Sequence, residues 1–238
     1  MDLIAAMAAL TTRVEAIKRN AAGDQLARGF QTRAHELEPV AEAYAKLAKK
    51  TSTLRKNRIA VTLPDKVPGL AHAATKALEA FEQDNTSVIE IPSDLRRTFW
   101  DQAGDVSVRI DTALQVAWRE HVQAAMPRVD RLLFEALPTV TSAHRQELAA
   151  ITTAAMQLAS AVPEDDEGVA NLGLLVDRMN RLIVAVDIDG LPVEVRSFIR
   201  AIAQGTATLD LVTPAVASWL KAQGLTSKVR LQFGSTSQ

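Results

Sequence analysis

The densest candidate for chemistry in this chain is a run of cations. Lys46, Lys49, Lys50, Arg55, Lys56 and Arg58 fall between residues 46 and 58, with no acidic residue among them. Six positive charges within about four helical turns create a potential that suits phosphate oxygens. Lys228 and Arg230 are the further cations that a nucleic-acid surface would draw on. Aromatic side chains, on which unpaired bases stack, are nearly missing from the run; Tyr44 alone is close. The run also suits two plainer roles. Cations are stabilised at the negative end of a helix dipole, and they pair with acids elsewhere in the same chain.

The histidines offer less. A di-iron site in a helical bundle needs Glu-x-x-His, because positions i and i+3 aim both ligands at one metal. The residues three before His35, His72, His121 and His144 are Thr32, Gly69, Trp118 and Thr141, and none is a carboxylate. His144 and Glu147 share a helix face, but two ligands do not make a site. Surface or helix-capping histidines are the expected roles. Gly168 and Gly173 have the spacing of a phosphate loop, but Leu174 follows them where lysine is needed. No G-x-S-x-G occurs. The chain has no cysteine, which removes disulfides, thiolate zinc sites, iron–sulfur clusters and cysteine nucleophiles together. The expectation is a protein that is not an enzyme, with no cofactor and no metal.

The elements that must position these groups announce themselves by period. Leu3, Met7, Leu10, Val14 and Ile17 are spaced four, three, four, three. Val169, Leu172, Val176, Met179, Ile183 and Val186 repeat the pattern, as do Leu148, Ile151, Ala155, Leu158 and Val162. A period near 3.5 means helices packed lengthwise on helices. Aromatics are only 4% of residues, so the core must be aliphatic. Alanine is abundant; it is the best helix former and lets helix axes approach closely.

Chain order sharpens the picture. A first helix is expected over 2–22, broken by Gly23 and Asp24. A second carries Leu26, Phe30, Leu37, Val40, Tyr44, Leu47 and Leu54, and Pro39 should kink or divide it. Residues 62–69, with two prolines, read as a loop before a helix over 70–83. Residues 87–92 have some strand character. Ser93 and Asp94 would cap a helix to about Met126, burying Leu95, Phe99, Val106, Ile110, Leu114, Trp118 and Val122. A short helix to Ala136 and a long apolar one to Val162 follow. That stretch, charge-free over 148–163, reads as a buried helix; it is too short and polar to span a bilayer. Helices over 168–187, 192–204 and 213–223 complete the set. Residues 227–233 alternate like a short strand. Helix, turn, helix and strand at this end have the outline of a winged helix-turn-helix. The outward positions Ala215, Ser218, Lys221 and Ala222 are poor at reading bases.

Net charge is −1, but it is unevenly spread. Residues 1–60 hold eleven basic and six acidic side chains, +5, and residues 61–127 hold six and ten, −4. Such a split can serve intramolecular pairing, a partner or a polyanion. The N-terminus lacks the basic and apolar regions of a signal peptide.

These observations predict an all-α fold. It would be an elongated bundle of antiparallel helices, with a coiled-coil hairpin over 1–60, a bundle over 61–238 able to join it, and a short C-terminal strand. The function expected first is a non-enzymatic structural or adaptor subunit of a larger bacterial assembly, cytoplasmic and off the membrane. Its heptad faces would bind protein partners or a second copy of itself. The alternative is a nucleic-acid-binding accessory factor of a DNA-processing or defence complex, using the basic helix at 46–58.

Overall fold

The computed structural model describes residues 12, 13, 25–84, 93 and 96–227. Of these, 78% are helical and none lies in a strand, so the fold is all-α. Eight α-helices are seen among the described residues. They are α1 (Gln25–Lys56), α2 (Lys66–Gln83), α3 (Asp101–Ala125), α4 (Arg131–Ala136), α5 (Ser142–Ser160), α6 (Asp166–Val186), α7 (Val193–Ala203) and α8 (Pro214–Ala222). A π-helical turn, Arg96–Trp100, runs into α3, and a 3-10 turn, Leu209–Leu211, lies between α7 and α8. The expected helix over 2–22, the strand character over 87–92, the cap at Asp94 with Leu95 after it, and the strand over 227–233 lie outside the described residues, apart from Thr12, Arg13 and Ser227.

Two prolines behave differently from their sequence expectation. Pro39 does not divide α1, which runs unbroken from Gln25 to Lys56. Its missing N–H and its clash with the preceding turn are local costs, and burial of Leu37, Tyr44 and Leu47 around it favours continuity. Pro68 lies inside the first turn of α2, which starts at Lys66 and not near residue 70. First-turn N–H groups have no partner within the helix, so proline loses nothing there.

The helices sort into two compact units. One comprises the described residues of Met1–Ala124 with Gln157–Leu172, the other those of Ala125–Met156 with Gly173–Gln238. In the first unit the π-helical turn buries Phe99, and α3 continues the same face with Ala103, Val106, Ile110, Leu114, Trp118 and Val122, at spacings of four and once three. Phe30, Ala34 and Leu37 of α1 meet Phe81 of α2, with Leu78 and Trp100 packed against them. The two large amphipathic side chains are satisfied at their polar ends. The Tyr44 hydroxyl donates to the Ala103 carbonyl at 2.8 Å, and Trp118 Nε1 donates to the Leu158 carbonyl at 2.7 Å. Burial pushes the Tyr44 phenol well above its ordinary range.

The end of α1 is built to stop. Ile59 N–H donates to Leu54 O and Arg58 N–H to Arg55 O, both at 2.9 Å. This is a Schellman motif, and the buried Ile59 and Leu54 supply its apolar contact. The left-handed position is held by Arg58 at φ 59°. The same motif ends α7 and α8, but there Gly205 and Gly224 occupy that position, at φ 70° and 63°. A side chain with Cβ costs about 1 kcal/mol in this region. Arg58→Gly is therefore expected to leave the fold unchanged and to be neutral or stabilising by up to about 1 kcal/mol in a urea melt. A clear loss of stability would show that the arginine side chain has a structural contact of its own.

The second unit buries Leu133, Phe134, Leu137, Val140, Ile151, Met179, Leu182, Val186, Val195, Phe198, Ile199, Val216 and Leu220 in one cluster. Capping places its short helices. Asp130 accepts from Leu133 N–H at 3.0 Å and from Arg200 Nε at 2.5 Å, so one carboxylate caps α4 and ties it to α7. The Leu133 N–H first, and Arg200 after it, hold Asp130 below the usual carboxylate range. Thr213 accepts from Val216 N–H at 3.4 Å, with Pro214 opening α8. Thr141 and His144 form a reciprocal capping box at α5: His144 N–H donates to the threonine hydroxyl at 3.3 Å, and Thr141 N–H donates to Nδ1 at 3.4 Å.

One expectation about packing is overturned. The apolar stretch of α5 is not a buried helix; Ile151 is its one buried residue. Leu148, Ala155 and Leu158 are half-buried, while Ala149, Ala150, Thr153 and Met156 are exposed. The absence of charge told nothing about which neighbours would cover it. On α6, Leu172 and Met179 are buried as their spacing predicts, and Val176 is half-buried.

Candidate functional site

The basic run falls on the last three turns of α1 and the Schellman turn after them. The fold divides it. Lys50 Nζ lies 2.8 Å from Asp111 Oδ1 on α3, and the other oxygen of Asp111 accepts from Gln115 at 2.9 Å. Lys56 pairs with Asp166 in the first turn of α6, and Asn57 Nδ2 donates to the same carboxylate at 3.2 Å. These two donors, Lys56 foremost, hold Asp166 below the usual carboxylate range. Thr53 Oγ1 adds a bond to the Glu164 carbonyl at 3.0 Å. Two of the six cations thus fasten α1 to α3 and α6 within the first unit.

Lys46, Lys49, Arg55 and Arg58 are exposed and make no ion pair with a described residue. They do not share a face. At 3.6 residues per turn Lys49 sits about 60° around the helix from Lys46, whereas Arg55 sits about 180° from it. Lys228 and Arg230 lie outside the described residues.

On the Arg55 side α1 borders a groove of about 690 Å³. Tyr44, Leu47, Ala48, Thr51 and Ser52 of α1 line it, with Leu63 from the approach to α2, Val67 from the first turn of α2, and Ile110 of α3. Arg55 and Lys56 stand at its end. The Thr51 hydroxyl is occupied, donating to Leu47 O at 2.7 Å. The lining is mostly apolar with cations at one end, and the volume lies in the range of small-molecule sites. Sequence reasoning singled out Arg55 and Lys56 but missed the groove, which joins residues from three elements. It did not pair Lys50 with Asp111 or Lys56 with Asp166. The charge split between residues 1–60 and 61–127 was the available signal for Asp111.

The other candidates resolve into structural parts. The connection from α7 to α8 is ten residues, 204–213, and contains the 3-10 turn. A helix-turn-helix joins its helices through three or four residues, so that outline does not hold. His121 stacks on Trp118 with ring centroids 5.8 Å apart. His35 and His72 are exposed. Among the described residues no group of three His, Asp or Glu is placed to hold a metal ion. No helix among them is long and apolar enough to cross a membrane.

The exposed face of α5 is the remaining surface of note. Ala149, Ala150, Thr153 and Met156 follow the i, i+3/i+4, i+7 pattern of one helix face, and Met156 is 68% exposed. No charged residue occurs from Leu148 to Pro163. Comparison of the chain with protein-family models, with curated proteins and with solved structures gives no match.

Proposed function

We propose that this protein is a non-enzymatic structural or adaptor subunit that holds a partner protein through an outward helix face. The uncharged stretch of α5 from Ala149 to Met156, exposed at Ala149, Ala150, Thr153 and Met156, carries the reading. A helix face turned to water usually bears lysine, arginine or glutamate. This one presents alanines, over which another helix can approach closely, and a flexible methionine, which adapts to a partner's shape. Small residues flanking one large apolar side chain suit helix-on-helix packing better than capture of a charged polymer.

The nucleic-acid alternative would rest on Lys46, Lys49, Arg55 and Arg58. Tracking a phosphate backbone calls for cations along one continuous face, and these stand on two sides of α1.

The experiment compares complexes recovered from the native host by the wild-type chain and by two charge variants. Ala149→Glu with Met156→Glu places two anions on the α5 face at exposed positions. Lys46→Glu with Lys49→Glu reverses the free basic side of α1. The expected result is a stoichiometric protein partner that survives nuclease treatment, is lost at least about tenfold with the α5 variant, and is kept by the α1 variant. A partner set indifferent to the α5 substitutions would sink the reading. So would a complex that nuclease dissolves and the α1 variant abolishes, which would favour the alternative.

A further inference from the structure

The groove beside α1 has a polarity that the adaptor reading does not use. Its wall follows one helix face: Tyr44, Leu47, Ala48, Thr51, Ser52 and Arg55 recur at spacings of three and four. From Tyr44 to Arg55 is eleven residues, about 16 Å along the axis at about 1.5 Å each. Tyr44, Leu47 and Ile110 are buried, and Leu63 and Val67 complete the lining. The apolar lining thus runs along one face of α1.

Its charged end is asymmetric. Lys56 is held by Asp166, but Arg55 is exposed and makes no ion pair with a described residue. Ser52, one turn earlier on the same face, is exposed and offers a hydroxyl donor. None of the described lining residues is an aspartate or glutamate. A guanidinium that makes no ion pair with a described residue, beside a mostly apolar groove, is complementary to a planar anion carried on an apolar tail. Carboxylate fits best, because the guanidinium fork meets its two oxygens in parallel.

We infer that this groove binds a free single-chain amphiphile with a carboxylate head, its tail lying along Tyr44, Leu47, Leu63, Val67 and Ile110 and its head meeting Arg55. An extended saturated chain of about a dozen carbons matches the eleven-residue length of the wall at about 1.5 Å per residue. Burial of the tail supplies most of the affinity, and Arg55 sets the charge preference. The inference is independent of the adaptor reading, since the α5 face has no part in it.

The test is calorimetric titration of the full chain with laurate and with dodecyltrimethylammonium, both below their micellar concentrations. The two probes share a tail length and differ in the sign of the head. Laurate is expected to bind saturably at one site per chain, at least about tenfold more tightly than the cation. Arg55→Glu should reverse that order, an outcome that simple loss of fold cannot produce. Ser52→Trp, at an exposed wall position, should block both probes while circular dichroism stays helical. Equal binding of the two probes, an unchanged preference in Arg55→Glu, or association seen only with anionic vesicles would each overturn the proposal.

Discussion

Replacing Trp118 with alanine is expected to lower the melting temperature by about 10 °C. The indole is wholly buried on α3, between Leu114 and Val122 of the same stripe. Deleting a buried aromatic removes its transfer free energy and leaves a cavity that the surroundings only partly fill, at about 3–5 kcal/mol. For a chain of this length each kcal/mol moves the midpoint by about 2–4 °C. Trp118 also donates to the Leu158 carbonyl, and that bond can be separated from the packing. Trp118→Phe keeps most of the apolar bulk and forfeits the donor, so it should cost less than the alanine. Val116, two residues away and 46% exposed, provides the control; Val116→Ala should stay within about 0.5 kcal/mol. Thermal melts followed at 222 nm would decide it. If Trp118→Ala melts like the wild type, α3 does not pack through this face.

The second large effect is expected in the other unit. Phe134→Ala should cost about 3–5 kcal/mol by the same cavity argument. The ring is completely buried, yet it stands on α4, a helix of only six residues. A helix that short has no stability of its own in water. It exists because Leu133 and Phe134 are buried in the core and Asp130 caps its first turn. Losing the ring should therefore free the whole segment. Hydrogen exchange of the amides of α4 should accelerate well beyond what the global melt requires. Leu132, 49% exposed on the same helix, should tolerate alanine with little change. Protection of α4 that survives Phe134→Ala would mean that the cap, not the core, holds it.

Much of the architecture was legible in residue spacing. Of the stripe expected from Leu95 to Val122, Leu95 lies outside the described residues, and Phe99, Val106, Ile110, Leu114, Trp118 and Val122 are all buried. Caps and stops were equally readable, because they depend on neighbours within a few residues. Thr213-Pro214 opens α8, Gly205 and Gly224 take the left-handed position after α7 and α8, and His144 serves as a cap. Helix class, helix ends and one inward stripe are all local properties of a polypeptide, so the chain by itself determined them.

Contacts between distant residues were decided only by tertiary structure. The cations of α1 were visible, but Lys50 finds Asp111 sixty-one residues on, and Lys56 finds Asp166 a hundred and ten residues on. Nothing in the spacing of charges names such partners. The same limit explains α5. Its composition matches that of a core helix, and its period marks an inward stripe, but whether a second face is covered depends on elements elsewhere in the chain. The groove beside Arg55 joins α1, the approach to α2, and α3, and no window of sequence contains all three. A period reports which side of a helix is apolar; only packing reports what meets it, because burial is a property of pairs of surfaces and not of one.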